Sequence, residues 1–289
     1  YMFTKFSLGE MHPMLIVFGR MLLGAGILFV VMRLKGSRLP PLGKVWGHLL
    51  IMGIFANSLP FALFGIGQLY IASSTAAILN GATPIIVVLL AHFLIPDEPL
   101  NFGKALGVLL GIIGLSLIIL PGILDGNVES DTFGMLCAIM AACSYSVGMI
   151  YARIFLLKLP PLVAPTAQLL SSMLYLVPMV LFLDLPSPVQ GIPSFQTILA
   201  VIALGVMPTA LASVFYYRIL ENAGSSSLAM ATYLLPVFGV IFGCIFLGES
   251  LAWTAYFGGA IILLGMITVN FFASKTVRIR KNTPTLVNT

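Results

Sequence analysis

The feature that most limits how this chain can fold is a pair of long stretches without a charged side chain. Between Lys44 and Asp97, and again between Glu221 and Glu249, the chain contains no Asp, Glu, Lys or Arg. The apolar runs are continuous over about 20 residues, the length of a membrane-spanning helix, and do not alternate as barrel strands do. With 8% charged residues in all, the chain is predicted to be an all-α polytopic membrane protein.

Apolar length and breaker residues predict nine complete spans, and residues 1–8 are predicted to be the tail of another helix. The predicted spans cover residues 13–33, 45–67, 71–95, 101–121, 132–156, 162–183, 194–217, 224–247 and 251–273. The connections are short, which leaves no room for a soluble domain. The three cysteines fall inside spans, which argues against a disulfide framework.

The distribution of charge predicts the orientation. If the C-terminal tail, residues 274–289, is cytoplasmic, alternation of the spans places 12 of the 14 Lys and Arg residues on the cytoplasmic side. Only Lys5 falls outside, and Arg20 lies within a span. This bias follows the positive-inside rule and predicts a multi-pass protein of the cell (inner) membrane whose basic loops and tail contact anionic lipid, not nucleic acid.

The chain also contains an internal sequence repeat. The segment SSTAAILNGATP, residues 73–84, matches SSSLAMATYLLP, residues 225–236, at an offset of 152 residues. Weaker matches at offsets near 148 and 151 extend the repeat over most of the chain. Each copy contains five helices, and an odd number inverts the second copy, as in many secondary carriers.

These residues carry a family resemblance. Residues 210–269 contain a Tyr-Arg pair before a small-residue turn, then Tyr-Leu-Leu-Pro, Leu-Gly-Glu and a Gly-rich last helix. In that order the motifs resemble the second half of EamA-type transporters of the drug/metabolite transporter superfamily, and residues 20–120 resemble the first half. The resemblance implies ten transmembrane helices in two inverted five-helix repeats, cytoplasmic termini and export of metabolites, amino acids or drugs.

The repeat predicts the domain organisation. We expect a first EamA repeat at 1–121, with helix 1 partial, and a second at 132–273, followed by the cytoplasmic tail. Aligning Tyr1 with Met149 indicates that about 17 residues are missing from the start of helix 1. Such a protein can also form a homodimer, and the sequence leaves that question open.

Arg20 is the one basic residue well inside a predicted span, about two turns into its helix. A buried charge in a membrane is costly and suggests a functional site, here for a substrate carboxylate. The alternative is that Arg20 extends to the outer interface or caps carbonyls of helix 1. Its equivalent in the other half is the neutral Gln168.

Four polar residues near the middle of their spans form equivalent pairs. Asn57 pairs with Thr209, and Asn80 pairs with Thr232, each at an offset of 152 residues. Symmetric polar positions at the midplane predict one central solute site, and hydrogen bonding between helices is the alternative.

Pro84 and Pro236 remove backbone donors and are predicted to act as hinges or simple kinks. Tyr145, Tyr216 and Tyr233 are predicted to line an aromatic cavity.

Glu98 and Glu249 occupy junctions between helices, where a carboxylate near the start of the next helix is favoured by the helix dipole. We expect each to be a structural cap.

The sequence favours a carrier over an enzyme. Its three His residues are scattered, and no Ser-His-Asp set, metal-ligand spacing or phosphate-binding loop is visible, so no cofactor or metal is expected. The predicted substrate is a small neutral or zwitterionic metabolite such as an amino acid. A membrane-embedded enzyme and a channel or scaffold remain the alternatives.

Overall fold

The computed structural model is helical throughout the part of the chain that it describes. That part comprises residues 1–95, 100–124, 129–156, 159–160, 162–182, 192–216, 218–219 and 234–282. The helices of the first half are α1 (Met2–Ser7), α2 (Pro13–Leu34), α3 (Lys44–Gly53), α4 (Leu59–Tyr70), α5 (Ser73–Asn80), α6 (Thr83–Leu94) and α7 (Phe102–Leu124). Those of the second half are α8 (Glu129–Phe155), α9 (Val163–Phe182), α10 (Phe195–Gly205), α11 (Leu234–Leu247) and α12 (Trp253–Asn282).

Seven helical segments of the described chain are long and apolar enough to cross a membrane. They are Pro13–Leu34, Lys44–Tyr70, Ser73–Leu94, Phe102–Leu120, Asp131–Phe155, Val163–Phe182 and Phe195–Tyr216. Two shorter apolar helices, Leu234–Leu247 and Trp253–Val269, follow. The predicted polytopic helical class is therefore confirmed.

The boundaries differ from the predicted spans chiefly in two places. The predicted span at 71–95 is two helices, because a turn at Gly81 and Ala82 separates α5 from α6. The last helix does not end at residue 273 but continues to Asn282, and the predicted span at 224–247 is described only from Leu234 onward.

Local sequence explains where α2 begins and ends. Pro13 occupies its first turn, where a missing N–H costs nothing, and the His12 side chain accepts a hydrogen bond from the Met14 N–H at 3.2 Å. At the other end Gly36 has a φ of 73°, and the N–H of Ser37 bonds back to the Met32 carbonyl at 3.0 Å. A glycine in this left-handed conformation ends a helix without steric cost.

Two spans contain a π-helical turn, in which the backbone accommodates an extra residue. The first turn, Ile54–Ser58, joins α3 to α4, and the second, Val206–Leu211, follows α10. Their first residues are 152 apart, the offset of the internal repeat. Such turns are rare and are found frequently at functional sites.

Helices of the two halves cross closely at small residues. A Cβ on Gly205 would lie 2.6 Å from the Leu23 Cβ, so α10 approaches α2 at backbone distance. Near the first π-helical turn, a Cβ on Gly53 would lie 3.0 Å from the Ser172 backbone nitrogen of α9. The Ser172 hydroxyl also donates to the Gly53 carbonyl at 3.2 Å. Both π-helical turns are thus held against a helix of the other half.

Candidate substrate site

Arg20 is buried in the interior of the helix bundle, with 7% of its surface exposed. Its Nε and Nη2 atoms donate hydrogen bonds to the Thr209 hydroxyl at 3.2 and 3.0 Å. The guanidinium carbon lies 3.7 Å from the centroid of the Phe61 ring, a cation–π contact. Arg20 therefore neither extends to the outer interface nor caps helix 1 carbonyls, and that alternative was wrong.

No carboxylate of the described residues forms an ion pair with Arg20. The titratable side chains nearest to it are the phenols of Tyr145 and Tyr1. A phenol is neutral at physiological pH, so neither supplies a full negative charge. Within the described part of the chain, the Arg20 cation is held by a neutral hydroxyl and an aromatic face.

Aromatic side chains form one wall beside Arg20. Tyr145 packs edge-on against Phe61 at 5.7 Å between ring centroids and lies 6.1 Å from Phe64. Tyr1 packs edge-on against Phe64 at 5.2 Å. We call the region formed by Arg20 and these rings the central chamber; its side chains are mostly apolar with few polar groups, as those of small-molecule sites commonly are.

Asn80 reaches the same chamber from the inner end of α5. Its side chain lies near the phenol of Tyr1, and its amide oxygen accepts a hydrogen bond from the Thr83 hydroxyl at 3.0 Å. The structure thus brings together four residues that the sequence proposed separately: Arg20, Asn80, Tyr145 and Thr209.

The two π-helical turns place Asn57 and Thr209 differently. The Thr209 hydroxyl donates to the Leu204 carbonyl at 2.7 Å while it accepts from Arg20. Asn57 is 6% exposed, and its amide nitrogen has no hydrogen-bond partner in the part of the chain that the structure describes. It lies four residues before Phe61, one turn away from the ring beneath Arg20.

The remaining predicted site residues are not assembled around Arg20 by any described contact. Gln168 is buried on α9, and its carbonyl accepts from the Ser172 hydroxyl at 3.1 Å. Tyr216 lies seven residues beyond Thr209, about 10 Å further along that span. Thr232 and Tyr233 lie outside the described residues.

One of the two prolines, Pro84, occupies a different position from that expected. Pro84 lies in the first turn of α6, just after the break at Gly81, and not in the middle of a continuous helix. Pro236 is buried near the start of α11, as the structure describes it, and a Cβ on Gly81 would lie 3.0 Å from its Cγ. Pro84 therefore follows a helix break, and both prolines lie close to it.

Glu249 is a cap, as predicted, but of a different helix. Its carboxylate accepts hydrogen bonds from the backbone N–H groups of Ser73 and Ser74, at 2.7 and 2.9 Å, and from both hydroxyls. These donors belong to α5 in the first half, not to α12, the next helix in the chain. Burial raises the pKa of the Glu249 carboxyl, but the hydrogen bonds from Ser74 and Ser73 outweigh burial and hold the pKa below its ordinary value. Glu98 lies outside the described residues.

Sequence reasoning missed Phe61 and Tyr1 as neighbours of Arg20 and Asn80. The only signal available for Phe61 was its distance of four residues from Asn57 on one span. For Tyr1 no signal existed, because its position depends on how α1 packs across α4.

Comparison with known proteins gives a consistent result. The model of the EamA-like transporter family matches residues 1–120 and 132–271. An "Uncharacterized transporter" of Archaeoglobus fulgidus is 27% identical over 266 residues, with 92% of this chain and 90% of that protein covered. The "Uncharacterized transporter YoaV" of Bacillus subtilis is 22% identical, with 94% and 91% covered. A solved crystal structure that is 21% identical superimposes with a TM-score of 0.66 over 94% of this chain and 92% of that one, which shows a shared fold.

Proposed function

Because this chain belongs to the EamA-like transporter family, we propose that it is a secondary-active exporter of small metabolites such as amino acids. Membership of this family makes it a membrane transporter and not an enzyme. The proposal further specifies alternating access between two inverted five-helix repeats, with the central chamber as the solute site.

Contacts between α7 and α12 support the inverted repeat. A Cβ on Gly107 would lie 2.7 Å from the Gly265 carbonyl, and a Cβ on Gly114 would lie 2.6 Å from the Gly258 carbonyl. Under the offset of 151 residues, Gly107 is equivalent to Gly258 and Gly114 to Gly265. Each contact therefore maps onto the other when the two copies are exchanged, as expected for copies related by a two-fold axis.

The observation that carries the substrate assignment is the buried charge of Arg20. A buried cation without a counter-ion is costly, and the described residues provide only Thr209 and Phe61. A substrate carboxylate would supply the missing negative charge and can accept two parallel hydrogen bonds from a guanidinium. The rest of the chamber wall is aromatic and amide in character, which suits a zwitterionic metabolite with an apolar body.

Counterflow in liposomes containing the purified protein tests this function. When a panel of metabolites is tested, we expect the protein to exchange amino acids. Arg20→Gln should weaken transport of carboxylate substrates about 100-fold, while transport of the corresponding amides should change far less. A loss of two charge-assisted hydrogen bonds, each about 1.5 to 3 kcal/mol, is enough for this effect. Equal loss for acids and amides would assign Arg20 a structural role. Flux through the protein without any exchange would favour a channel.

Orientation in the membrane is a separate part of the proposal. In a background with all three native cysteines replaced by Ala, Ser250→Cys should react with an impermeant maleimide added to intact cells. Leu42→Cys, which is 91% exposed in the basic loop after α2, should react only after the membrane is opened. Reaction of Leu42→Cys in intact cells would contradict a cytoplasmic position for the basic loops.

A further inference from the structure

Two helices from different halves meet between the central chamber and the outer surface. Asn80 lines the chamber at one end of α5, and Ser73 marks the other end, which is predicted to face outward. Along its length α5 packs against α11 at small residues. A Cβ on Gly239 would lie 2.2 Å from the Ala77 Cβ, and one on Gly243 would lie 3.1 Å from the Ser74 Cβ. At these distances no solute fits between the two helices.

The Glu249 carboxylate closes the outer end of this contact. It lies in the connection that follows α11, and it accepts four hydrogen bonds at the first turn of α5, from two backbone N–H groups and two hydroxyls. Gly248 adopts a φ of 64°, and the Glu249 N–H bonds to the Gly243 carbonyl at 3.2 Å, so the connection turns the carboxylate back over α11. The positive end of the α5 dipole favours a carboxylate here.

Lys5 of helix α1 binds close to this contact between Glu249 and α5. The Lys5 ammonium donates to the Ile71 carbonyl at 3.0 Å and to the Gln68 carbonyl, which are at the end of α4. It also interacts electrostatically with Glu249 and with Asp131 at the start of α8. Three segments of the first half therefore converge on one carboxylate of the second half.

We propose that Glu249 is a latch that holds the outer end of the transporter closed, and that its carboxylate leaves Ser73 and Ser74 when solute exits between α5 and α11. This inference rests on the proposed carrier function. The carboxylate connects one helix start to the opposite half, so separating α5 from α11 breaks its four hydrogen bonds together. In a merely structural cap, the partners belong to a unit that moves as one.

Accessibility of the chamber from outside tests the latch without any solute. In the cysteine-free background, Asn80→Cys reports on the chamber, and its reaction with an impermeant maleimide is timed in intact cells. Adding Glu249→Gln removes the charge and replaces one acceptor oxygen by a donor, so the closed state loses its strongest contacts. We expect the rate of labelling to rise about tenfold.

A matched control uses the same substitution on the same predicted face. The Glu10 carboxylate also caps a helix of the opposite half, since it accepts from the Ser194 N–H at 2.6 Å, but this bond is exposed. Glu10→Gln should therefore change the labelling of Cys at position 80 by less than about twofold. A second test combines Ser73→Ala with Ser74→Ala, which removes two of the four donors and should raise labelling about threefold.

The outcomes separate the latch from the carrier proposal. Unchanged labelling in Glu249→Gln overturns the latch, whether or not the protein transports. If that variant does not purify as a single species, the double Ser variant decides, and unchanged labelling there overturns the latch. Faster labelling supports the latch even in a protein that shows no counterflow, and absence of counterflow contradicts only the carrier proposal.

Discussion

The two π-helical turns occupy equivalent positions but differ in how their polar side chains are satisfied. In the second turn, the Thr209 hydroxyl donates to the Leu204 carbonyl and accepts from Arg20. In the first turn, the buried amide nitrogen of Asn57 has no partner among the described residues, and neither has the hydroxyl of the adjacent Ser58. One turn is therefore a completed hydrogen-bonding site, and the other retains unused donors.

This difference suggests separate roles for the two turns: the second positions Arg20, and the first binds the solute. Thr209 fixes the guanidinium of Arg20 against Phe61, so its hydroxyl acts through another residue. A buried donor left without a partner costs about 1 to 3 kcal/mol, a cost that a bound solute with an acceptor group would offset. We therefore infer that the first turn contributes a direct contact to the solute, whereas the second orients the charged group.

The helices packed against the two turns also differ, in the charge of their equivalent residues. Arg20 on α2 contacts the second turn, and its equivalent on α9, the neutral Gln168, lies in the helix packed against the first. Of this predicted pair of equivalent positions, only the one on α2 is therefore charged. An asymmetric solute with a single carboxylate fits such an arrangement better than a symmetric one.

The largest expected effect comes from removing the amides of Asn57 and Asn80 together. Substituting both Asn57 and Asn80 by Leu should abolish counterflow, because the solute loses two polar contacts and the chamber becomes apolar beside Arg20. The fold should survive, since an average hydrogen bond between membrane helices contributes only about 0.6 kcal/mol. Transport in liposomes and size-exclusion chromatography measure the two properties.

Thr166→Val is the matched control for that double variant. The Thr166 hydroxyl is buried but bonds the Leu162 carbonyl within its own helix at 2.6 Å, away from the chamber contacts described above. It should keep counterflow close to that of the parent protein. Full activity in the double Leu variant would remove Asn57 and Asn80 from the solute pathway and reduce the comparison to a packing difference.

A smaller effect is expected when the hydrogen bond between Arg20 and Thr209 in the second turn is removed. Thr209→Val keeps the side-chain shape but removes the acceptor of Arg20, so the guanidinium should lose its fixed orientation. We expect the apparent affinity for carboxylate solutes to fall about tenfold and stability to fall by about 1 to 3 kcal/mol. Counterflow at varied solute concentration and thermal unfolding in detergent measure these changes.

Ser213 provides the control for Thr209 one turn further along. Its hydroxyl donates to the Thr209 carbonyl and leaves Arg20 untouched. Ser213→Ala should change stability by no more than about 0.5 kcal/mol and leave the affinity unaltered. An unchanged affinity in Thr209→Val would show that Arg20 does not depend on this hydroxyl for its position.

The sequence was sufficient for the fold class because apolar length and charge position depend on local composition. It also singled out Arg20, Asn57 and Thr209 as candidates, since polar residues inside apolar spans are conspicuous. It did not predict the π-helical turns, whose extra residue leaves no distinct mark in a continuous apolar run. Nor did it predict that Glu249 caps α5, because that partner is 176 residues away and depends on how the two halves pack.

The smallest expected effect tests the comparison most directly, through the stability of Asn57→Leu alone. The Asn57 amide nitrogen has no partner among the described residues, so burying it costs folding free energy that Asn57→Leu should recover. The change of side-chain shape should offset this gain by up to about 1.5 kcal/mol. We therefore expect the unfolding temperature in detergent to stay unchanged or rise by a few degrees, whereas Thr209→Val lowers it. Ser58→Ala, which removes the other unpartnered group of the same turn, should likewise be neutral.

A solute that binds Asn57 should raise the unfolding temperature of the parent protein in proportion to its occupancy and protect Asn57→Leu much less. A drop of several degrees in Asn57→Leu without solute would mean that the amide holds the fold together, and the two turns would then perform the same structural task.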